Sequence, residues 1–182
     1  MDKIIRTHLD KIRSDDGQVQ FKAYDYLMKV TEKPVDWAYE AWDEIVKGLT
    51  HNDNHVRAIT SQIFTHLAKS DPKGRIFKDF DKLLNVTKDE RFVTARHCMQ
   101  ALWNVGVVSK KHQKMYVEGM SGRFKECIKE KNGHLIRYDI LVSMRNVYNE
   151  VKDEAIREKA QVLIESEKDL KNKKKYATVW KK

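Results

Sequence analysis

The sequence is poor in residues that interrupt helices and in residues that cross-link chains. Among 182 residues there are only 7 glycines, 2 prolines and 2 cysteines. Cys98 and Cys127 stand 29 residues apart, with no Cys-x-x-Cys spacing, so neither a disulfide framework nor a zinc knuckle is expected. The two thiols are instead typical of a reducing, cytoplasmic setting.

Long apolar runs are missing as well. Nowhere do 18 apolar residues follow one another, and the stretch from Met1 to Arg13 carries charges throughout. The sequence therefore predicts neither a transmembrane segment nor a secretory leader. Charged residues make up 35% and hydrophobic residues 41% of the chain, which suits amphipathic helices with wet outer faces. We expect an all-α, cytoplasmic protein.

A repeat of roughly 40 residues organises what is present. Four predicted helices each begin with an apolar residue followed by a polar one. We call these polar residues the repeat markers, and they are Gln20, Arg57, Arg96 and Arg137, with spacings of 37, 39 and 41 residues. Pro34 and Pro72 mark the same period with a spacing of 38. Two helices per unit indicate a stacked solenoid. The sequence thus predicts a right-handed α-α superhelix of about four helix pairs plus a terminal helix.

A column of large apolar residues follows the markers at a distance of seven residues, as a continuous core requires: Leu27, Phe64, Trp103 and Met144. The third repeat unit can be aligned with the second in two ways. Aligning Val93 with Val56 keeps a spacing of 37 residues, whereas aligning Arg96 with Arg57 matches the later apolar positions better. The second alignment is preferred because core volume is the stronger constraint.

An aspartate or asparagine turn, followed by a small or branched apolar residue and then arginine, resembles the HEAT repeat, a relative of the armadillo repeat. The resemblance covers residues 14–166, and Gln20 and the late Asp89 depart from it. It implies a HEAT-like repeat domain over residues 1–166, followed by a lysine-rich tail over 167–182 that forms a possible cap. It also implies a non-enzymatic scaffold whose concave face engages a partner.

Inner helices at about 17–31, 54–69, 90–107 and 134–149 would line that face. The predicted contact residues are spaced donors suited to carboxylates or phosphates, namely Arg57, Arg96, Gln100, Asn104, Arg137 and Arg145. A protein or an acidic peptide is the expected partner, and a nucleic acid is the alternative. In HEAT-like proteins such arginines also join neighbouring units through turn aspartates, and Asp53 is the candidate here for Arg57 and Arg96.

A more distant resemblance is to the DNA alkylation repair proteins, which are HEAT-like base glycosylases. Aromatic stacking and an anion would serve extraction of a cationic base, and Trp103 and Asp139 are the candidates, with Arg137 as a phosphate contact. No catalytic motif of that family is matched, and no phosphate-cradling glycine loop occurs. His51 and His55 are spaced i, i+4 across a turn without the glutamate of a zinc-protease helix. No catalytic residue, metal site or cofactor is predicted.

The tail holds much of the positive charge. The net charge is +9, and residues 167–182 contain seven lysines against Glu167 and Asp169. Tyr176, Val179 and Trp180 lie at helical spacing among these lysines. The segment is interpreted as a lid on the last repeat; docking on another subunit and binding to an anionic membrane are the alternatives.

Overall fold

The computed structural model describes residues 1–181. Helices account for most of these residues and no strand occurs among them, which confirms the all-α class. The chain divides into two compact units, with unit 1 running from Met1 to Cys98 and unit 2 beginning at Met99. The boundary expected between residues 166 and 167 falls inside unit 2.

Unit 1 contains five complete helices and most of a sixth: α1 Lys3–Lys11, α2 Gly17–Val30, α3 Ala38–Gly48, α4 Asn54–Leu67, α5 Ile76–Val86 and α6 Phe92–Ala101. A short 3₁₀ turn, Ala68–Ser70, follows α4. Helix α1 packs on α2, α3 packs on α4, and α4 also contacts α2 and α5. Within this unit α1 and α2 form one packed pair and α3 and α4 form another.

Aspartates set where the helices begin. The side chain of Asp16 accepts hydrogen bonds from the amides of Gln18 and Val19 at the start of α2. Asp53 does the same for His55 and Val56 at the start of α4. Each carboxylate satisfies amides that have no partner within the helix. The observed starts at Gly17 and Asn54 agree with the predicted starts at 17 and 54.

Trp42 and Phe64 lie at the centre of the unit 1 core. Both are fully buried, and their rings meet edge to face with centroids 4.8 Å apart. The Nε1 of Trp42 donates to Asp79 on α5 over 2.9 Å, which satisfies the polar atom of the buried indole. One aromatic pair thus connects α3, α4 and α5.

Unit 2 contains five further helices after the end of α6: α7 Trp103–Gly106, α8 Lys110–Glu126, α9 Gly133–Val151, α10 Glu154–Glu165 and α11 Leu170–Val179. Helix α8 ends in a 3₁₀ turn, Cys127–Lys129. Helix α9 contacts α8, α10 and α11, and α10 contacts α11. Helix α9 is therefore the central element of unit 2.

The core of unit 2 is built around Tyr116, Phe124 and Tyr176, all of which are fully buried. The hydroxyl of Tyr116 shares a hydrogen bond of 2.7 Å with the hydroxyl of Ser143 on α9. Tyr176 on α11 meets Phe124 edge to face at 6.2 Å, and its hydroxyl donates to the carbonyl of His134 over 2.8 Å. Helix α11 is therefore anchored through its aromatic side chain.

Some inward assignments are wrong in detail. Leu27, Phe64 and Met144 are fully buried, but Trp103 is only half-buried. The predicted helix 90–107 is interrupted, because α6 ends at Ala101 and α7 starts at Trp103. Ile4 and Ile128, whose spacing is that of an inward helix stripe, are nevertheless 54% and 57% exposed. Among residues 1–181, no helix has the length and hydropathy needed to cross a bilayer.

Candidate binding groove

An open groove of about 570 Å³ crosses the first turns of three helices in unit 1. Its walls come from residues of α2, α4 and α6, among them Phe21, Tyr24, Ala58, Ile59, Gln62, Phe92, Val93 and His97. Phe21 is 63% exposed and Val93 is 65% exposed. Large apolar side chains left open and grouped in a concavity are a feature of binding sites.

Helical geometry explains why these residues face out together. Phe21 and Tyr24 are three residues apart on α2, and Val93 and His97 are four residues apart on α6, so each pair shares one helix face. Ala58 of α4 also lines the groove. The core face of α2 is a different stripe, since Ala23 and Leu27 are buried there. Phe21 and Tyr24 therefore form a second stripe on α2, besides the one that fills the core.

Hydrogen bonds between helices hold the groove walls in place. The hydroxyl of Tyr24 donates to the Oε1 of Gln62 over 2.8 Å, which joins α2 to α4. The hydroxyl of Thr94 donates to the carbonyl of Asn54 over 3.2 Å, which joins α6 to α4. Burial, with a smaller contribution from the charge of Asp25, raises the pKa of Tyr24, so its hydroxyl remains a donor at neutral pH.

The groove rim carries the positive charge of Arg91 and no negative side-chain charge. Arg91, His55 and His97 line it, and within the described part of the chain no aspartate or glutamate does so. The groove also lies at helix N-termini, where backbone amides carry partial positive charge. Asp16 and Asp53 offset part of that charge as caps, so Arg91 is the main source of attraction for an anionic ligand.

Arg57 forms an ion pair, but its partner is not the aspartate predicted from the sequence. Its Nε and Nη2 donate to both carboxylate oxygens of Asp89, over 2.5 and 2.9 Å. Its Nη1 donates to the carbonyls of His51 and Asn52. Asp53, the partner expected from the HEAT-like pattern, caps α4 instead. Burial favours a higher pKa for Asp89, but hydrogen bonds from Arg57 and the Arg91 amide hold it below the usual value.

Arg137 is engaged in the same manner in unit 2. It donates to the carboxylate of Glu167 over 2.8 Å and to the carbonyl of Phe124 over 2.9 Å. Both side chains of this ion pair are less than a tenth exposed. The guanidinium also lies 4.5 Å from the ring centroid of Phe124. Two of the predicted contact arginines thus join segments of their own unit.

The other predicted contact residues have more varied surroundings. Arg96 is half-buried in unit 1, with its guanidinium 5.7 Å from the ring centroid of Phe92. Gln100 is exposed, whereas Asn104 is buried and donates to the carbonyl of Ala101. Arg145 lies over the Tyr148 and Trp180 rings at 5.4 and 5.3 Å. None of the six lines the groove, and their role in binding a partner stays a prediction.

The residues of the glycosylase alternative are both in unit 2. Trp103 is half-buried at the start of α7, and Asp139 is buried within α9 at 3% exposure. Their proposed roles in base extraction stay predictions. No group of three or more histidine, cysteine, aspartate or glutamate side chains arranged to hold a metal ion occurs in residues 1–181.

Comparison with known proteins bears on the fold. No protein-family model matches the chain, and no curated protein matches it in sequence. Similar solved structures include two engineered proteins from the Northeast Structural Genomics Consortium. One is 14% identical over 98% of this chain and 79% of its own length, with a TM-score of 0.55. The other is 16% identical over 98% of this chain and 47% of its own length, with a TM-score of 0.54. The likeness supports a generic helical, repeat-like fold.

Proposed function

We propose that the chain consists of HEAT-like, armadillo-type repeats and acts as a non-enzymatic module that binds a protein segment. Side-chain bonds in unit 1 that join residues about one repeat apart support the repeat interpretation. Tyr24 and Gln62 are 38 residues apart, Trp42 and Asp79 are 37 apart, and the bond from Thr94 to Asn54 spans 40. Equivalent positions of successive repeats become neighbours when repeats stack.

The groove on α2, α4 and α6 is the observation that carries the binding proposal. Phe21 and Val93 leave nearly two thirds of their surface open beside it, and aromatic or aliphatic anchors of this kind dominate binding energies. Its volume of about 570 Å³ lies within the range of roughly 300–1,000 Å³ typical of ligand sites. The bound segment is therefore short, with a few apolar side chains seated in the groove.

The charge of the groove indicates the character of that segment. Arg91 stands at the rim with two histidines and no lining carboxylate. An acidic residue beside the apolar anchors would gain from Arg91 and from the helix N-termini. We infer that the partner presents an apolar segment flanked by aspartate or glutamate, which is consistent with a protein or acidic-peptide ligand.

A library of displayed random 12-residue peptides, selected on the full chain, tests this proposal. We expect the selected peptides to be rich in large apolar residues and in aspartate or glutamate. Val93→Asp places a charge in the groove wall and should weaken the selected peptides at least tenfold, which corresponds to about 1.4 kcal/mol. Titration calorimetry with synthetic peptides measures the change.

Val162→Asp is the matched control, because Val162 is similarly exposed, at 62%, but lies on α10 in unit 2. It should leave peptide affinity within a factor of two of the original. Selected peptides that bind Val93→Asp as tightly as the original chain would refute the groove as the binding site. Recovery of peptides without acidic residues would refute the inferred charge of the partner.

A further inference from the structure

Helix α11 presents three lysines on its outer face. Lys171, Lys174 and Lys175 are exposed and, at i, i+3 and i+4, are neighbours on a helix surface. Tyr176 and Trp180 lie on the opposite side and are 0% and 7% exposed. The lysine-rich segment is thus a docked helix that holds its charges at defined spacing, rather than a solvated end.

The same positive surface continues onto α9. The Nζ of Lys175 lies 4.8 Å from the ring centroid of Tyr138. The guanidinium of Arg145, seven residues after Tyr138 and so on the same helix face, lies 5.3 Å from the ring of Trp180. We call the surface formed by Tyr138, Arg145, Lys171, Lys174 and Lys175 the α9–α11 surface.

Nearby carboxylates do not neutralise this surface, because they are committed to other groups. Glu165 pairs with Lys173 over 2.6 Å, and Glu167 pairs with Arg137 over 2.8 Å. Asp169 accepts from the amide of Asn172 as the cap of α11. Over residues 1–181, the four cations of the α9–α11 surface take part in no ion pair.

Like charges at helical spacing repel one another and destabilise the helix that carries them. Binding of a chain of anions removes that repulsion and releases condensed counterions from the ligand. We propose that the α9–α11 surface binds the phosphate backbone of a nucleic acid without reading its sequence. This surface is separate from the groove of unit 1, and the proposal stands independently of the peptide-binding function.

The side chains of α11 favour a nucleic acid over a lipid surface. A helix that lies in a membrane interface needs an exposed apolar face, whereas Tyr176 and Trp180 bury the aromatic face of α11 within unit 2. Leu170, at 73% exposure, is a lone apolar residue at the start of the helix. The α9–α11 surface therefore offers cations without an apolar wedge.

Fluorescence anisotropy of the full chain with a labelled 20-nucleotide single strand and with a 20-base-pair duplex tests the proposal. With four phosphate contacts, the logarithm of single-strand affinity should fall with that of salt concentration at a slope of about −2.8. Affinity should therefore drop about fifty-fold between 50 and 200 mM salt. The triple variant Lys171→Glu, Lys174→Glu, Lys175→Glu should bind at least tenfold more weakly and with a shallower slope.

The matched control is Lys3→Glu, Lys33→Glu, Lys78→Glu, which changes net charge equally at exposed positions of unit 1. It should lower affinity less than threefold, and circular dichroism should show both variants to be fully helical. Equal losses in the two variants would overturn the proposal, because net charge alone would then explain binding. The proposal would also be overturned if the chain bound neither oligonucleotide but sedimented with vesicles containing 30% phosphatidylserine.

Discussion

Removal of the Arg57 side chain should expose how strongly unit 1 depends on one ion pair. Arg57→Ala deletes two bonds to Asp89 and two to the carbonyls of His51 and Asn52. The Asp89 side chain is only 5% exposed, so its carboxylate would remain buried without its ion-pair partner. It would keep one hydrogen bond, from the Arg91 amide, and the weaker influence of the Arg91 charge. Breaking a buried pair in this way costs about 3–5 kcal/mol, and we expect a loss in that range for unit 1.

Urea unfolding followed by tryptophan fluorescence measures this loss. Replacing Trp103 and Trp180 with phenylalanine leaves Trp37 and Trp42, both in unit 1, as reporters, which matters because two units need not unfold in one transition. Asp89→Asn added to Arg57→Ala removes the orphaned charge and should recover part of the stability. The loss caused by Arg57→Ala should also be smaller at pH 4 than at pH 7, because the isolated, buried Asp89 becomes protonated more readily.

The exposed pair of Lys29 and Asp25 provides the control. Their side chains are 68% and 49% exposed, and pairs between exposed side chains contribute little to stability because water and salt screen them. Lys29→Ala should therefore cost far less than Arg57→Ala. A loss below about 1 kcal/mol for Arg57→Ala, or one equal to that of Lys29→Ala, would refute the view that Arg57 is a structural tie between neighbouring repeats.

Two other perturbations follow from the cores of the units. Burial, and then the nearby charge of Lys69, lowers the pKa of His66 from 6.5 to about 4. Between these two pH values the folded chain therefore binds fewer protons than the unfolded chain, and the free energy of unfolding should fall as pH drops from 6.5 towards 4. Urea titrations should show a smaller fall in His66→Gln. An unchanged fall would contradict the assignment of this pH dependence to His66. Tyr176→Ala should cost about 3–5 kcal/mol in unit 2, whereas Tyr176→Phe should cost about 1 kcal/mol through one hydrogen bond. Hydrogen exchange in α11 would report the difference, and equal protection in both variants would argue against anchoring by the Tyr176 ring.

The positions of the helices could be predicted from the sequence because they depend on local chemistry. Apolar spacing correctly identified Leu27, Phe64 and Met144 as buried, and the predicted start of the helix at residue 54 agrees with the cap formed by Asp53. These signals arise within one helix or at its ends. The interruption after Ala101 and the partial exposure of Trp103 were not predicted, because a periodic apolar pattern does not register a one-residue break between helices.

The groove and the partner of Arg57 were beyond the reach of the sequence for a different reason. Periodicity reports the strongest apolar stripe, so Phe21 and Val93 on a second stripe appear as surplus residues. The sequence did contain one sign of this: the third unit could be aligned with the second either at Val93 or at Arg96, because α6 has apolar residues on more than one face. Asp89 departs from the HEAT-like pattern. It contacts Arg57 because the turn after α5 brings it there. Both features depend on how helices are placed beside one another.

Nuclear magnetic resonance of the ¹⁵N-labelled chain, titrated with the tightest selected peptide, tests the proposed binding site most directly. The largest amide shifts should fall in the first turns of α2, α4 and α6, around Phe21, Ile59 and Val93, and should vanish in Val93→Asp. Shifts concentrated on unit 2, or spread around Arg57 with the groove unchanged, would contradict the claim that this apolar groove is where the partner binds.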